Sequence, residues 1–283
     1  TGYDNQYRNL GKTQNKGIEF SFTYHIVNKK DWGIDFSGNL GYNKNEIKEQ
    51  AEEPKAYQNL VQTGNPLNST YGLVAIGLFK DQADIDNSPT QNFSTVRPGD
   101  IKYQDINGDG VIDANDVTKI GYSGYAPEIF YNFHAGAEYK GAGIDLMFQG
   151  VGRYTANLNA KGMYWALLNS TSLSQQYYDG RWTASNPDPN ATFPRLSTTS
   201  NANNYQTSTF WQEDRSFLKL RDVELSYDFA YSLLHDTFVK KAKVYVRGVD
   251  LFTWDKLDNK DAAAYGNHQP LTRSVIAGIQ LSF

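Results

Sequence analysis

Apolar and polar residues alternate with a period of two along much of the chain. In GIEFSFTYHI, Ile18, Phe20, Phe22, Tyr24 and Ile26 share one side of an extended segment, and Glu19, Ser21, Thr23 and His25 share the other. WGIDFSGNLGYN repeats the pattern after the polar link VNKKD, with Trp32, Ile34, Phe36, Leu40 and Tyr42 opposite Asp35, Ser37, Asn39 and Asn43. Two antiparallel neighbours are expected. IFYNFHAGAEYK and GIDLMFQGV form a second pair around Gly141-Ala142, and FLKLRDVELSYDF, AKVYVRGVDLFTW and RSVIAGIQLSF follow. Leu218 and Leu220 lie on the opposite parity from Val223, Leu225 and Tyr227, which predicts a bulge near Asp222.

The expected strands are seven, at about 17–26, 32–43, 129–140, 143–152, 216–229, 242–254 and 273–283. Most have about ten residues, the length that crosses a bilayer when tilted. Short links (27–31, 141–142, 230–241) alternate with long loops (44–128, 153–215, 255–272). That rhythm belongs to an all-β, transmembrane antiparallel barrel, and Tyr24, Trp32, Tyr42, Tyr139 and Trp254 sit near strand ends, where aromatic girdles lie. A secreted β-sandwich also alternates and stays open as a second reading; it would have shorter strands and no such rhythm. Bacterial barrels close with an even number of strands, and an open edge is not viable in lipid. Residues 1–283 are therefore expected to be one C-terminal segment of a larger barrel.

Composition sharpens this picture in a few places. Aromatic residues make up 14% of the chain and charged residues 20%, too aromatic for disorder and rather polar for an enzyme core. A net charge of −4 argues against nucleic-acid binding. There is no cysteine, hence neither a disulfide framework nor a thiolate metal site. No apolar run is long enough for a spanning helix, and no signal peptide is expected at the start of the sequence, which opens on the polar TGYDNQYRNLGKTQNKG. LGKT at 10–13 lacks the glycine and the strand-to-helix context of a phosphate loop, and no catalytic motif or carboxylate couple stands out. No enzyme activity is expected.

One stretch carries metal chemistry. In YQDINGDGVIDANDV, Asp105, Asn107, Asp109, the carbonyl of Val111, Asp113 and Asp116 occupy the oxygen-ligand positions of an EF-hand-type loop, with Gly110 at its sharp turn. Carboxylates this close repel unless a cation lies among them. Calcium is the expected ion, with magnesium as the alternative. Flanking helices are missing, so a structural staple in the long loop fits better than a switch. The loop 153–215 is rich in aromatics, and Tyr164, Trp165, Tyr178, Trp182 and Trp211 are candidates for contact with a ligand or a covering protein.

NKGIEFSFTYHI, PGDIKYQDINGDGVIDANDVTKIG, ATFPRL, FWQEDRSFLKLRDVELSYDF, VYVRGVDLFTW and the final Phe283 together resemble the C-terminal part of SusC/RagA-type TonB-linked outer-membrane transporters, in order over essentially the whole chain. The resemblance implies a plugged barrel of about 22 strands in outer-membrane lipid. It implies import of oligosaccharides or oligopeptides, with a SusD-like surface lipoprotein as lid and energy relayed by TonB through a plug not contained in this sequence. It also implies that Phe283 is the signal read by the barrel-assembly machinery, and that loop 44–128 is extracellular. Two alternatives remain at this point: a passive porin, and a secreted calcium-dependent glycan-binding sandwich.

Overall fold

The computed structural model describes residues 9–28, 31–158, 165–168, 171–230, 234, 238–257 and 272–283. It is mostly β, and no described helix is long and apolar enough to cross a membrane, which says nothing about strands. Seven strands, β1 (Lys12–Asn28), β2 (Trp32–Glu49), β3 (Ile129–Tyr139), β4 (Ala142–Gly152), β5 (Phe217–Asp228), β6 (Lys241–Asp255) and β7 (Ser274–Ser282), form one sheet. Each strand lies beside its sequence neighbour, so the sheet is an up-and-down meander with β1 and β7 at its edges. A sandwich of the immunoglobulin kind would need Greek-key crossings and a second sheet over the apolar face; among the described residues this sheet has neither.

The strands begin and end differently from the sequence pattern in instructive ways. β1 and β2 have 17 and 18 residues, well beyond the apolar stretch that marks them. The β3–β4 turn is Lys140-Gly141 rather than Gly141-Ala142, with φ of 50° and 86°. A two-residue hairpin whose twist matches its strands needs positive φ at both central positions, so Lys140 adopts the left-handed conformation. The bulge near Asp222 is present: the ladders of β5 with both β4 and β6 shift between Leu220 and Asp222. The extra residue, Arg221, faces Asp250 at 2.7 Å, and Asp250 itself takes φ of 54°.

The chain divides into two compact units. One consists chiefly of the sheet: Lys16–Lys44, Ala126–Tyr154 and Asp214–Phe283. The other joins Asn45–Tyr125 to Thr155–Glu213, together with the chain up to Asn15. The expected loops 44–128 and 153–215 are thus not separate flaps but halves of one folded body. Short strand pairs stitch this loop unit: Thr70–Gly72 with Thr118–Gly121, Ala75–Leu78 with Ile101–Tyr103, and Thr90–Gln91 with Val111–Ile112. Backbone bonds cross between the halves, from Leu73 N–H to Thr207 (2.9 Å), Leu78 N–H to Pro189 (2.8 Å) and Arg195 N–H to Gly99 (2.9 Å).

Candidate functional site

Cross-strand register sorts the sheet residues onto two faces. On the first, Trp32, Tyr139 and Tyr227 form one aromatic row, followed by Ile34, Ala137, Ile144, Leu225, Val246 and Ala277, and then by Phe36, Ala135, Leu146 and Val223. Tyr42, further along β2, and Trp254, near the end of β6, lie on this face beyond the apolar rows. Its apolar side chains are open: Ile18 is 73% exposed, Val275 74% and Leu225 55%. An apolar band between aromatic rows is what a lipid-facing barrel wall requires.

The second face is charged and self-paired. Gly136 lies between Asp35 and Asp145 in the ladder, and a side chain there would collide with the Asp35 carboxylate. Glu224 stands next to Asp145 and receives Lys243 at 2.9 Å and Arg247 at 3.0 Å. Arg247 also reaches Asp222 at 3.3 Å. His134 pairs with Asp145 at 2.5 Å, His25 with Asp35 at 3.6 Å, and Asn39 donates to Asn132. His25, Asp35, Asp145, Glu224, Lys243 and Arg247 line a recess of about 640 Å³ that runs from β1 to β6. Such a surface suits water and polar solutes and would be costly against hydrocarbon.

The loop unit has the opposite construction. Leu73, Leu78, Phe79, Ile101, Tyr103, Ile112, Tyr177, Phe193 and Trp211 are buried in it. At its seam lies the fully buried Asp100, which takes Arg195 Nε at 2.8 Å and the side-chain amides of Asn201 and Asn204, each at 2.9 Å. Gln91 donates to Asn203 (2.6 Å), Tyr103 O–H donates to the Asn203 carbonyl (2.7 Å), and Trp211 Nε1 donates to the Asn204 carbonyl (2.6 Å). Burial pushes the Tyr103 and Tyr177 phenols well above their ordinary pKa, so both stay neutral hydrogen-bonding groups. Residues about 95 to 112 apart in sequence meet here. PGD and NANN read as turn signals, and nothing in their spacing reveals that they meet.

The EF-hand-type segment is a compact loop. Gly108 and Gly110 have φ of 76° and 84° with open space around them, so conformation, not crowding, requires glycine at both. Asp105 accepts from Gly108 and Gly110 N–H, Asn107 from Asp109 N–H, and Asp109 from Val111 N–H. Asp116 is fully buried and takes the N–H groups of Ile106, Asn107 and Asp113, and Asp113 caps the turn at Asn115. Asp116 therefore clasps the loop rather than reaching out from it. Among the described residues no three His, Cys, Asp or Glu side chains already converge as a metal cluster. Asn59 holds the loop's exit through the carbonyls of Asn115 and Val117.

The aromatic candidates separate by burial. Trp211 (2% exposed) and Trp182 (8%) belong to the core, and Trp182 lies against the backbone of Gly99, so their surface is spent on packing rather than offered to a ligand. Tyr178 is exposed beside Arg181, and Trp165 is half-buried on Tyr205. Tyr164 lies outside the described residues, as does most of loop 255–272. Phe283 is exposed and stacks on Phe238 at 5.3 Å.

No family model matches the chain. Among curated proteins, TonB-dependent receptor P26 of Formosa agariphila is 26% identical, covering 100% of this chain and 30% of the relative. TonB-dependent receptor P39 of the same organism is 28% identical, covering 81% of this chain and 25% of its own length. The RagAB peptide transporter superposes with a TM-score of 0.74 at 25% identity, covering 100% of this chain and 31% of that one. The chain is similar throughout to SusC/RagA-type TonB-dependent transporters. The same importer in its closed-closed state matches equally well, with a TM-score of 0.74 at 26% identity. The chain spans between a quarter and a third of the length of the curated relatives it matches.

Proposed function

We propose that this chain supplies part of the wall and part of the outer loops of an outer-membrane active importer, and that it is not an enzyme. The observation that carries the reading is the two-faced meander: apolar, aromatic-rimmed and exposed on one side, charged and self-paired on the other. Such a sheet is unsuited to water on its apolar side and to lipid on its polar side. It is at home as the wall of a barrel of about 22 strands, the remaining strands coming from outside these 283 residues. Similarity over the whole chain to TonB-dependent receptors and to RagAB supports TonB as energy source and a SusD-like surface lipoprotein as partner. The cargo is an oligosaccharide or an oligopeptide, and Phe283 serves as the signal to the barrel-assembly machinery.

In the loop unit, Asp105, Asn107, Asp109, the Val111 carbonyl and Asp113 hold a structural calcium ion, and Asp116 closes the loop behind them. The donor set fits. Each ionised carboxylate offers about four lone-pair sites, and the backbone N–H bonds use only some of them. The ion would relieve repulsion among the acids and lock the loop. Asp116 plays the part of a clasp through its three backbone N–H partners.

Purification from outer membranes in detergent, followed by mass spectrometry of the co-purifying chains, tests the importer reading. Plug and further barrel peptides together with a surface lipoprotein are expected. A chain recovered in the aqueous fraction without detergent and without those partners would refute it.

A further inference from the structure

The aromatic residues of the loop unit form a row that runs from its core to its surface. Tyr177 stacks on Phe193 at 4.5 Å, Phe193 approaches Trp211 at 6.5 Å, Trp211 stacks on Tyr205 at 6.3 Å, and Tyr205 meets Trp165 at 4.4 Å with an interplanar angle of 30°. The inner members are buried, whereas Trp165 and Tyr205 are half-exposed. At this outer end lies a recess of about 370 Å³, lined by Trp165, Leu168, Thr198, Ser200, Tyr205 and Gln206, with Ala202 at its edge.

Two properties of this lining decide what it can take. First, among the described residues that line it there is no carboxylate, amine, guanidinium or imidazole. Asp100 and Arg195, whose charges act on the Tyr205 phenol, pair with one another at 2.8 Å. A carboxylate, phosphate or ammonium entering the recess would lose water and find no counter-charge among these described lining residues. Second, the lining joins an aromatic platform to neutral hydroxyl and carboxamide groups. A pyranose ring matches that combination: its C–H face covers an aromatic ring, while its hydroxyls exchange hydrogen bonds with Thr, Ser and Gln side chains. The Tyr205 phenol, pushed up to about 12 chiefly by burial, remains neutral at any physiological pH and adds no charge. Tyr205 lies between the Trp165 and Trp211 rings, at 4.4 and 6.3 Å, so its ring is already packed before a ligand docks.

We propose that the Trp165–Tyr205 recess is a subsite for one neutral sugar ring of an oligosaccharide cargo. The proposal rests on the importer reading and extends it to a substrate class. Titration calorimetry on the detergent-purified transporter containing this chain tests it. The probes are neutral gluco-, manno-, galacto- and xylo-oligosaccharides, and acetylated, amidated peptides of similar mass. Saturable binding of at least one oligosaccharide is expected, weakened roughly tenfold or more by Trp165→Ala and largely restored by Trp165→Phe. Gln206→Ala and Ser200→Ala should weaken it by roughly two- to fivefold without disturbing the core. The subsite is refuted if no oligosaccharide binds, if Trp165→Ala leaves binding unchanged, or if only the capped peptides bind and depend on Trp165. TonB-dependent uptake, measured in parallel, separates the two readings. Uptake that persists without saccharide binding at Trp165 removes the subsite and leaves the importer, and loss of TonB-dependence removes the importer itself.

Discussion

The two units of this chain solve the problem of apolar surface in opposite ways. The loop unit gathers large apolar side chains into an interior, and every buried apolar residue among those described, except Leu257, belongs to it. In the sheet unit the large apolar side chains point outward, from Ile18 on β1 to Ile279 on β7. The polar groups are reversed accordingly. The loop unit buries Asp100, Gln91, Asn203 and Asn204 in a satisfied network, whereas the sheet leaves its charges on an open face and pairs them across strands. One unit is built as a water-soluble domain is, around a core. The other turns its apolar side chains outward on one face and its charges outward on the opposite face, the arrangement that a wall between two solvents requires. Composition averaged over the chain conceals this, because an inside-out half and an ordinary half together resemble a rather polar globular protein.

Four interventions test that contrast, from the strongest expected effect downward. Asp100→Ala should destabilise the loop unit by about 3–5 kcal/mol, because Arg195 and two Asn amides lose their shared acceptor inside the core. Local hydrogen exchange over 98–103 and 201–206 should rise, while amides of β3 to β5 stay protected. Leu146→Arg on the apolar face should cost about 2–4 kcal/mol in lipid, whereas Met147→Arg, next in the strand but facing Asp222 and His134, should cost under about 0.5 kcal/mol. Urea titration of the protein folded into vesicles compares the two directly, and equal costs would abolish the assignment of faces.

Chelation of calcium should loosen the loop unit alone, by about 1–3 kcal/mol at saturating ion. Limited proteolysis within 105–116 reads this, and Asp109→Ala should make cleavage indifferent to the chelator. The smallest effect concerns Glu52. Its carboxylate accepts the N–H groups of Gln62 and Thr63 and the Thr63 hydroxyl, which hold its pKa down to about 2. A pKa lower in the folded than in the unfolded chain gives stabilisation that is complete above about pH 4.5 and fades as pH falls toward 2. Glu52→Gln should flatten that part of the loop unit's stability profile and leave the sheet's unchanged. Thermal midpoints between pH 2 and pH 5 measure it.

Much of the sheet could be read from the chain because its signal is local. A strand with one apolar and one polar face writes its orientation into alternate residues, so Ile18 to Ile26, Trp32 to Tyr42 and the parity break at Leu220–Asp222 could be placed without coordinates. The sharp turn of the EF-hand-type segment was legible for the same reason, since Gly110 sits where positive φ is needed. The Lys140 turn was missed by one residue, because Lys is a poor marker of positive φ and only the pairing of Tyr139 with Ala142 fixes it.

What the tertiary structure alone decided is long-range. Asp100 meets Arg195, Asn201 and Asn204, and Gln91 meets Asn203, across about a hundred residues, and no periodicity encodes such contacts. They turn two loops into one body, send Trp182 and Trp211 into its core, and leave Trp165 at the mouth of a recess. The sequence by itself determined which residues of each strand could face water or lipid, since that depends on side-chain chemistry and a two-residue repeat. Which aromatic rings are walls and which are open platforms depends on burial, and burial is set by partners distant in the chain.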